Sequence, residues 1–364
     1  MPTLFLCGDV MTGRGIDQIL AHPSRPQLFE PYITSAVDYV GLAERESGRI
    51  DYPVPDRYIW GDALAVLEEM QPQARIINLE TAVTASEEAW PGKGINYRMH
   101  PANIGALAAV RPDCCGLANN HVLDWGRPGL AETLETLAAA GLAWAGAGRS
   151  RAGAWAPAAI DLGGRRLLVF AVATADSGVP AEWAATDREA GVAWLPDLSR
   201  RNLAAVLDAV AAHRRPGDLV LVSIHWGGNW GYGVGRREQE FAHGLVDGGV
   251  DLVHGHSSHH PKGIEVYRER LILYGCGDFL NDYEGIRGQR EYRPDLALMY
   301  LPTLDRDSGR LQELVLVPTR IRHLRVNRAP EEGVAWLQAM LNREGGRFGT
   351  RVERRGERLA LGWD

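Results

Sequence analysis

The sequence has no window approaching the ~18 uninterrupted apolar residues that a membrane-spanning helix needs. Residues 1–7 have neither the basic start nor the length of a secretory signal. A soluble, cytoplasmic protein with no membrane partner is therefore expected. Cysteine is scarce. Cys7, Cys114, Cys115 and Cys276 show no CxxC spacing and sit in apolar or glycine-rich runs, which reads as buried free thiols in a reducing compartment. There is no excess of basic residues: net charge is −7, and the arginines and lysines are dispersed, so no nucleic-acid footprint exists. The G-x-G-x-x-G nucleotide cradle is missing as well, because Gly8 and Gly13 lie too far apart. Internal repeats, low-complexity tracts and linkers are absent, so the 364 residues read as one domain.

What is present is a 45% hydrophobic chain, ample for a core. Apolar runs at 3–7, 74–78, 113–117, 219–224 and 250–253 read as strands, and each empties into a polar loop. Helical spacing covers 32–44, 62–70, 101–110, 128–140, 203–212, 238–246 and 330–342. Hairpins are expected at 158–161 with 166–172 and at 264–267 with 271–274, and late antiparallel strands at 296–301 and 311–318. Together these predict an α/β protein of two mixed sheets packed face to face with helices outside. Residues 22–59 read as an insertion beside a cleft, and 300–364 as a strand/helix extension.

The strand ends carry the chemistry. They supply Asp9, Glu80, Asn120 with His121, His225, and a stretch holding His254, His256, His259 and His260. Carboxylate oxygen mixed with imidazole nitrogen suits a hard or borderline divalent ion, and the carboxyl edge of a sheet is where α/β enzymes place such a site. Other residues admit two readings. Arg14 and Arg98 can clamp an anion or form surface ion pairs. Trp226 and Trp230 can wall a cleft or fill the core. Asp278 can support a histidine or sit in a solvated loop.

Seven segments in order resemble the calcineurin-like metallophosphatase superfamily, and more closely its CapA-type poly-γ-glutamate branch. They are Gly8-Asp9-Val10-Met11, Asn78-Leu79-Glu80, Asn119-Asn120-His121 with Asp124 and Gly126, Ile224-His225-Trp226-Gly227, Gly255-His256 through His259, Gly263-Ile264-Glu265, and Tyr274 through Phe279. The resemblance implies a four-layer α/β/β/α sandwich. It also implies one or two divalent ions, with Mn, Zn, Co, Fe, Ca and Mg all compatible. Asp9, Glu80 (bridging), Asn120, His225, His256 and His259 would be the ligands. His121 would be the acid/base group, with Asp124 either orienting it or facing a helix dipole; His260 would stand beside the substrate.

This sequence departs from the superfamily pattern in three ways. Met11 stands where Asp-x-His is usual. Two residues separate His256 from His259 where many relatives have one. The N-terminal anchor common in the capsule branch is not seen. The expected activity is hydrolysis of a peptide, γ-glutamyl or other small anionic substrate. Cα epimerisation of a peptide and a non-catalytic accessory role with a degenerate metal site are the alternatives.

Overall fold

Leucine- and valine-rich runs punctuated by Gly, Asn and Asp become strands in the computed structural model, which describes residues 1–364. Six of them position the site: β1 (Leu4–Val10), β2 (Ala74–Leu79), β3 (Cys114–Gly116), β4 (Arg166–Thr174), β5 (Leu219–His225) and β6 (Leu252–His256). All but the first residue of β4 are buried in these strands, the pattern of strands covered on both faces.

In one sheet β1 is central, with β2 and then β3 parallel on one side. The antiparallel pair Leu296–Leu304 and Leu311–Ile321 lies on the other. A short strand, Asp278–Leu280, runs parallel to the end of β1. In the second sheet β4, β5 and β6 are all parallel, flanked by Ala158–Asp161 and by the hairpin Ile264–Tyr267/Arg270–Leu273.

Alternation along β4 reveals the layering. Leu167, Val169 and Ala171 join a 77-residue core with Leu4, Phe5 and Leu6 of β1. The intervening Leu168, Phe170 and Val172 instead pack with Val206, Val210, Phe241 and Leu245 from the helices Arg200–His213 and Arg236–Asp247. One face of the second sheet therefore lies on the first sheet and the other lies under helices. The helices Ala63–Met70 and Gly126–Ala139 contribute Leu64, Leu67, Leu130 and Leu134 to the large core. The expected α/β/β/α arrangement of two mixed sheets is present. No helix is long and apolar enough to cross a membrane, and all four cysteines are free and buried.

Boundaries moved for local reasons. The helix expected over 32–44 runs Val37–Ser47, because residues 27–35 close a loop through the Gln27–Ser35 bridge. The region 101–110 splits into a one-turn 3-10 segment, Pro101–Asn103, and the short helix Ile104–Ala108. The histidine-rich stretch stays in β6 through His256 rather than opening into a loop at His254. A terminal hairpin, Thr350–Arg355 with Arg358–Trp363, was not foreseen. Its first strand is Thr-Arg-Val-Glu-Arg-Arg, in which Thr350 and Val352 alone are buried.

Candidate metal centre

Parallel pairing brings the carboxyl ends of both sheets to one edge. Asp9 is in register with Asn78 and with Asp278, and His225 with His256. The β1 register shifts between Leu6 and Asp9, the kind of irregularity that re-aims a side chain next to a site. Gly8 makes this crossing possible: a Cβ there would lie 1.6 Å from the Gly277 carbonyl oxygen. His254 stitches the sheets together, its Nε2 2.8 Å from the Cys7 carbonyl and its Nδ1 3.2 Å from Ser223 Oγ. That keeps it out of the site and explains why β6 continues past it.

Asp9, His225 and His256 converge, with one donor atom from each within 4.8 Å of the others. The two imidazoles meet through their Nδ1 atoms at 2.8 Å, and His256 Nδ1 is 3.8 Å from Asp9 Oδ1. Asn120 Oδ1 reaches His225 Nε2 at 3.1 Å. Glu80 joins through Asn78, whose amide donates to Asp9 Oδ1 (2.7 Å) and Glu80 Oε2 (3.1 Å). His259 is held by Asp278 at 2.8 Å, so Asp278 acts as its support rather than as part of a solvated loop. Met11, two residues after Asp9, is buried and its N–H donates to the Leu280 carbonyl.

The electrostatics fit a cation. Burial, then repulsion from Asp278, raises Asp9 to about 7. Burial, then Asp9 and Asp278, pushes Glu80 well above the carboxylate range. Burial drives His225 and His256 well below the ordinary imidazole value. For His259 burial opposes the charge, but the Asp278 carboxylate outweighs it and raises the value. Crowded carboxylates beside neutral imidazoles are an unbalanced charge set that a divalent ion would satisfy, since it favours deprotonated ligands of both kinds.

His121 stands at the rim, 6% exposed. Its Nδ1 lies 2.7 Å from Asp124 Oδ2 and its Nε2 3.8 Å from Glu80 Oε1. Burial, opposed by Asp124, takes it down to about 4. The Asp124 carboxylate thus faces the Nδ1 side of the His121 ring. It also accepts the Tyr97 N–H at 2.6 Å and pairs with the Lys93 ammonium.

Four candidates for the substrate side find partners within the chain, which for Arg14, Arg98 and Trp226 favours the second of their two readings, except that both arginines are buried rather than on the surface. The Arg14 guanidinium is consumed by Asp282, Glu30 and Tyr39. Arg98 donates to the Ser86 and Arg25 carbonyls and stacks 3.9 Å over Trp125. Trp226 is fully buried, its indole N–H on the Tyr274 carbonyl, and belongs to the core. His260 is closed within the chain, with Nδ1 on the Pro261 carbonyl and Nε2 accepting the Gly231 N–H. Trp230 is half-buried, its ring 5.2 Å from that of His259.

Lys93 and Tyr97 were missed, and Asn119 was quoted within its segment without a role of its own. Asn119 ties the β2 and β3 loops, donating to Asn78 Oδ1 and the Leu79 carbonyl while accepting the N–H groups of His121 and Val122. Tyr97 packs edge-on against His121, ring centroids 4.5 Å apart. A signal for Lys93 did exist. The chain has two lysines, Lys93 and Lys262, among 39 basic residues, and both stand near these strand ends.

The family model described as bacterial capsule synthesis protein PGA_cap matches residues 3–283. A probable polyglutamine synthesis accessory protein of Mycobacterium tuberculosis (strain CDC 1551 / Oshkosh) is 48% identical over 359 residues, covering 98% of this chain and 94% of that protein. The capsule biosynthesis protein CapA of Bacillus anthracis is 25% identical over 283 residues, covering 77% of this chain and 60% of its own length. Among solved structures, the 5'-nucleotidase precursor of Thermus thermophilus aligns over 91% of this chain and 55% of its own, at 14% identity and a TM-score of 0.43. With a buried Asp/His cluster at the paired sheet edges and matches spanning most of its length, the chain belongs to the bacterial capsule synthesis protein PGA_cap family.

Proposed function

We propose that this protein is a metal-dependent amide hydrolase acting on a peptide or γ-glutamyl substrate, with His121 moving the proton. The observation that carries this reading is the setting of His121: buried, held through Nδ1 by Asp124, and directing Nε2 toward Glu80 beside the Asp9/His225/His256 cluster. Asp9, His225 and His256 would hold the ion, with Glu80, Asn120 and His259 around it. When bound, such an ion supplies Lewis acidity to a carbonyl and acidifies water.

Depression to about 4 leaves His121 unprotonated near pH 7, so its first act is as a base. Nε2 takes a proton from the attacking water as the C–O bond forms. The resulting imidazolium is stabilised by the Asp124 carboxylate. The same proton then passes to the leaving nitrogen as the C–N bond breaks. An amide is favoured over a phosphoester by the relative named for polyglutamine synthesis, a polymer joined by amide bonds. Cα epimerisation would need a second proton carrier opposite His121. His260 is engaged with Gly231 and Pro261, and Asp124 lies on the Nδ1 side of His121, so neither supplies that carrier.

The test is turnover of γ-glutamyl peptides, α-peptides and phosphoesters by metal-reconstituted protein, alongside His121→Ala. Amide cleavage should fall by roughly 10²–10⁴ in the variant, with metal content unchanged. Retained activity in His121→Ala would remove the residue from the mechanism. Wild-type protein that binds metal and cleaves no amide would support a non-catalytic accessory role instead.

A further inference from the structure

Next to the metal centre lies a cavity of about 580 Å³ whose wall includes Asp176, Gly227, Trp230, Arg237, Glu238 and Lys262. It shares structure with the centre. Ser257 donates its N–H to Asp9 Oδ2 (3.3 Å) and its hydroxyl to the Gly227 carbonyl (3.2 Å). The Thr174 hydroxyl, which donates to Asp176 Oδ1, lies 3.2 Å from the carbonyl oxygen of His225. Trp230 lines the cavity while packing on His259. Much of the wall is bare backbone: a Cβ at Gly228, Gly231 or Gly233 would meet nothing within 4 Å.

Lys262 is the anomaly here. The residue is 4% exposed, yet its ammonium has no protein acceptor within hydrogen-bond distance. The one carboxylate oxygen within ion-pair distance, Glu238 Oε1, is 3.9 Å away. One oxygen of each neighbouring carboxylate is engaged: Glu238 Oε2 accepts the Gly235 N–H, and Asp176 Oδ1 accepts the Gly227 N–H and the Thr174 hydroxyl. The ammonium keeps contact with the cavity it lines, so water or a ligand there completes its hydrogen bonds, and an anion supplies the opposite charge as well. Arg237 adds a second cation to the same wall.

We infer that this cavity is a substrate subsite in which Lys262 binds a carboxylate of the substrate arm adjoining the reacting bond. Bare glycine backbone lets the arm approach closely, and Trp230 gives it an apolar flank between subsite and metal centre. The inference rests on the amide-substrate reading for what is bound, but not for whether Lys262 binds it. A γ-glutamyl unit, which keeps a free carboxylate beside each amide it forms, has the required chemistry.

The test is calorimetric binding of γ-glutamylglutamate and of its fully amidated analogue, to chelator-treated and to metal-loaded protein. Wild type should bind the carboxylate form at least tenfold more tightly than the amide. Lys262→Met should bind both with the same weak affinity, and Lys262→Arg should recover part of the difference. Equal binding of the two probes by wild type, or undiminished carboxylate binding by a folded Lys262→Met, overturns the inference, as does no wild-type binding at all. The amidated probe needs no variant, so misfolding of Lys262→Met leaves the test intact. Lys262-dependent binding without any cleavage would sink the hydrolase reading alone, whereas cleavage indifferent to Lys262 would sink the subsite alone.

Discussion

Replacing Asp124 by asparagine exchanges one oxygen for an amide nitrogen where three donors converge. Oδ2 takes the Tyr97 N–H at 2.6 Å and faces His121 Nδ1 at 2.7 Å, while Oδ1 takes the Lys93 ammonium. Asparagine has one accepting oxygen and an NH₂ group. Turned one way it confronts Lys93 with a donor, and turned the other it confronts both Tyr97 and His121. The Asp124 side chain has no exposure, so water cannot stand in. Breaking a buried ion pair from one side costs about 3–5 kcal/mol. Because the Lys93 side chain keeps 20% exposure, the lower end applies, about 3 kcal/mol. Denaturant unfolding of Asp124→Asn near pH 7 measures this, with Glu135→Gln as control. Glu135 pairs with Arg149 on the surface and should cost no more than about 0.5 kcal/mol. Amide turnover should fall at least about a hundredfold as His121 loses its anchor. Stability within about 0.5 kcal/mol of wild type, together with unchanged turnover, would refute the reasoning.

Two further outcomes follow from burial and backbone geometry. His121, His254 and His260 are held down to about 4 by burial, and His225 and His256 lie well below the ordinary value. The unfolded chain, titrating near ~6.5, therefore binds more protons between about pH 6.5 and 4. Stability from these groups is complete above that window and lost as pH falls through it, by up to ~1.4 kcal/mol per pH unit per histidine. Asp9, raised to about 7, acts in the opposite sense between about pH 4 and 7, as do the raised Glu80 and His259 in their own ranges, but the five depressed histidines outnumber these three groups. Denaturant unfolding of chelator-treated protein should thus show stability falling from pH 7 to 5, and a rise would contradict this. Gly8→Ala drives a methyl to 1.6 Å from the Gly277 carbonyl oxygen. Either β1 or the chain before Asp278 must move, so this variant should be insoluble or lose both stability and metal binding, whereas Gly346→Ala, with nothing within 4 Å of its Cβ, should retain metal binding.

The fold and the cluster at the sheet edges were legible because apolar runs ending in Gly, Asn, Asp or His mark strand ends locally. What those ends meet is set elsewhere in the chain. Arg14 kept two readings because its partners, Glu30, Tyr39 and Asp282, lie 16, 25 and 268 residues away. The fate of Trp226 was decided by the Tyr274 carbonyl, 48 positions on. His259 and His260 are adjacent and chemically identical. Only the Asp278 carboxylate on one side and the Gly231 N–H on the other assign them different tasks. Lys93 sits in a loop without periodicity, where only its rarity as a lysine marked it.

Asp9 on one sheet and His225 and His256 on the other define the centre, so the most direct measurement is cation binding. Chelator-treated protein would be titrated calorimetrically with Mn²⁺ and with Zn²⁺, beside His256→Ala and Asp9→Asn. At least one ion should bind per wild-type chain, and each variant should weaken that binding by tenfold or more. A wild-type protein that takes up neither ion, or variants that bind as tightly as wild type, would contradict the account.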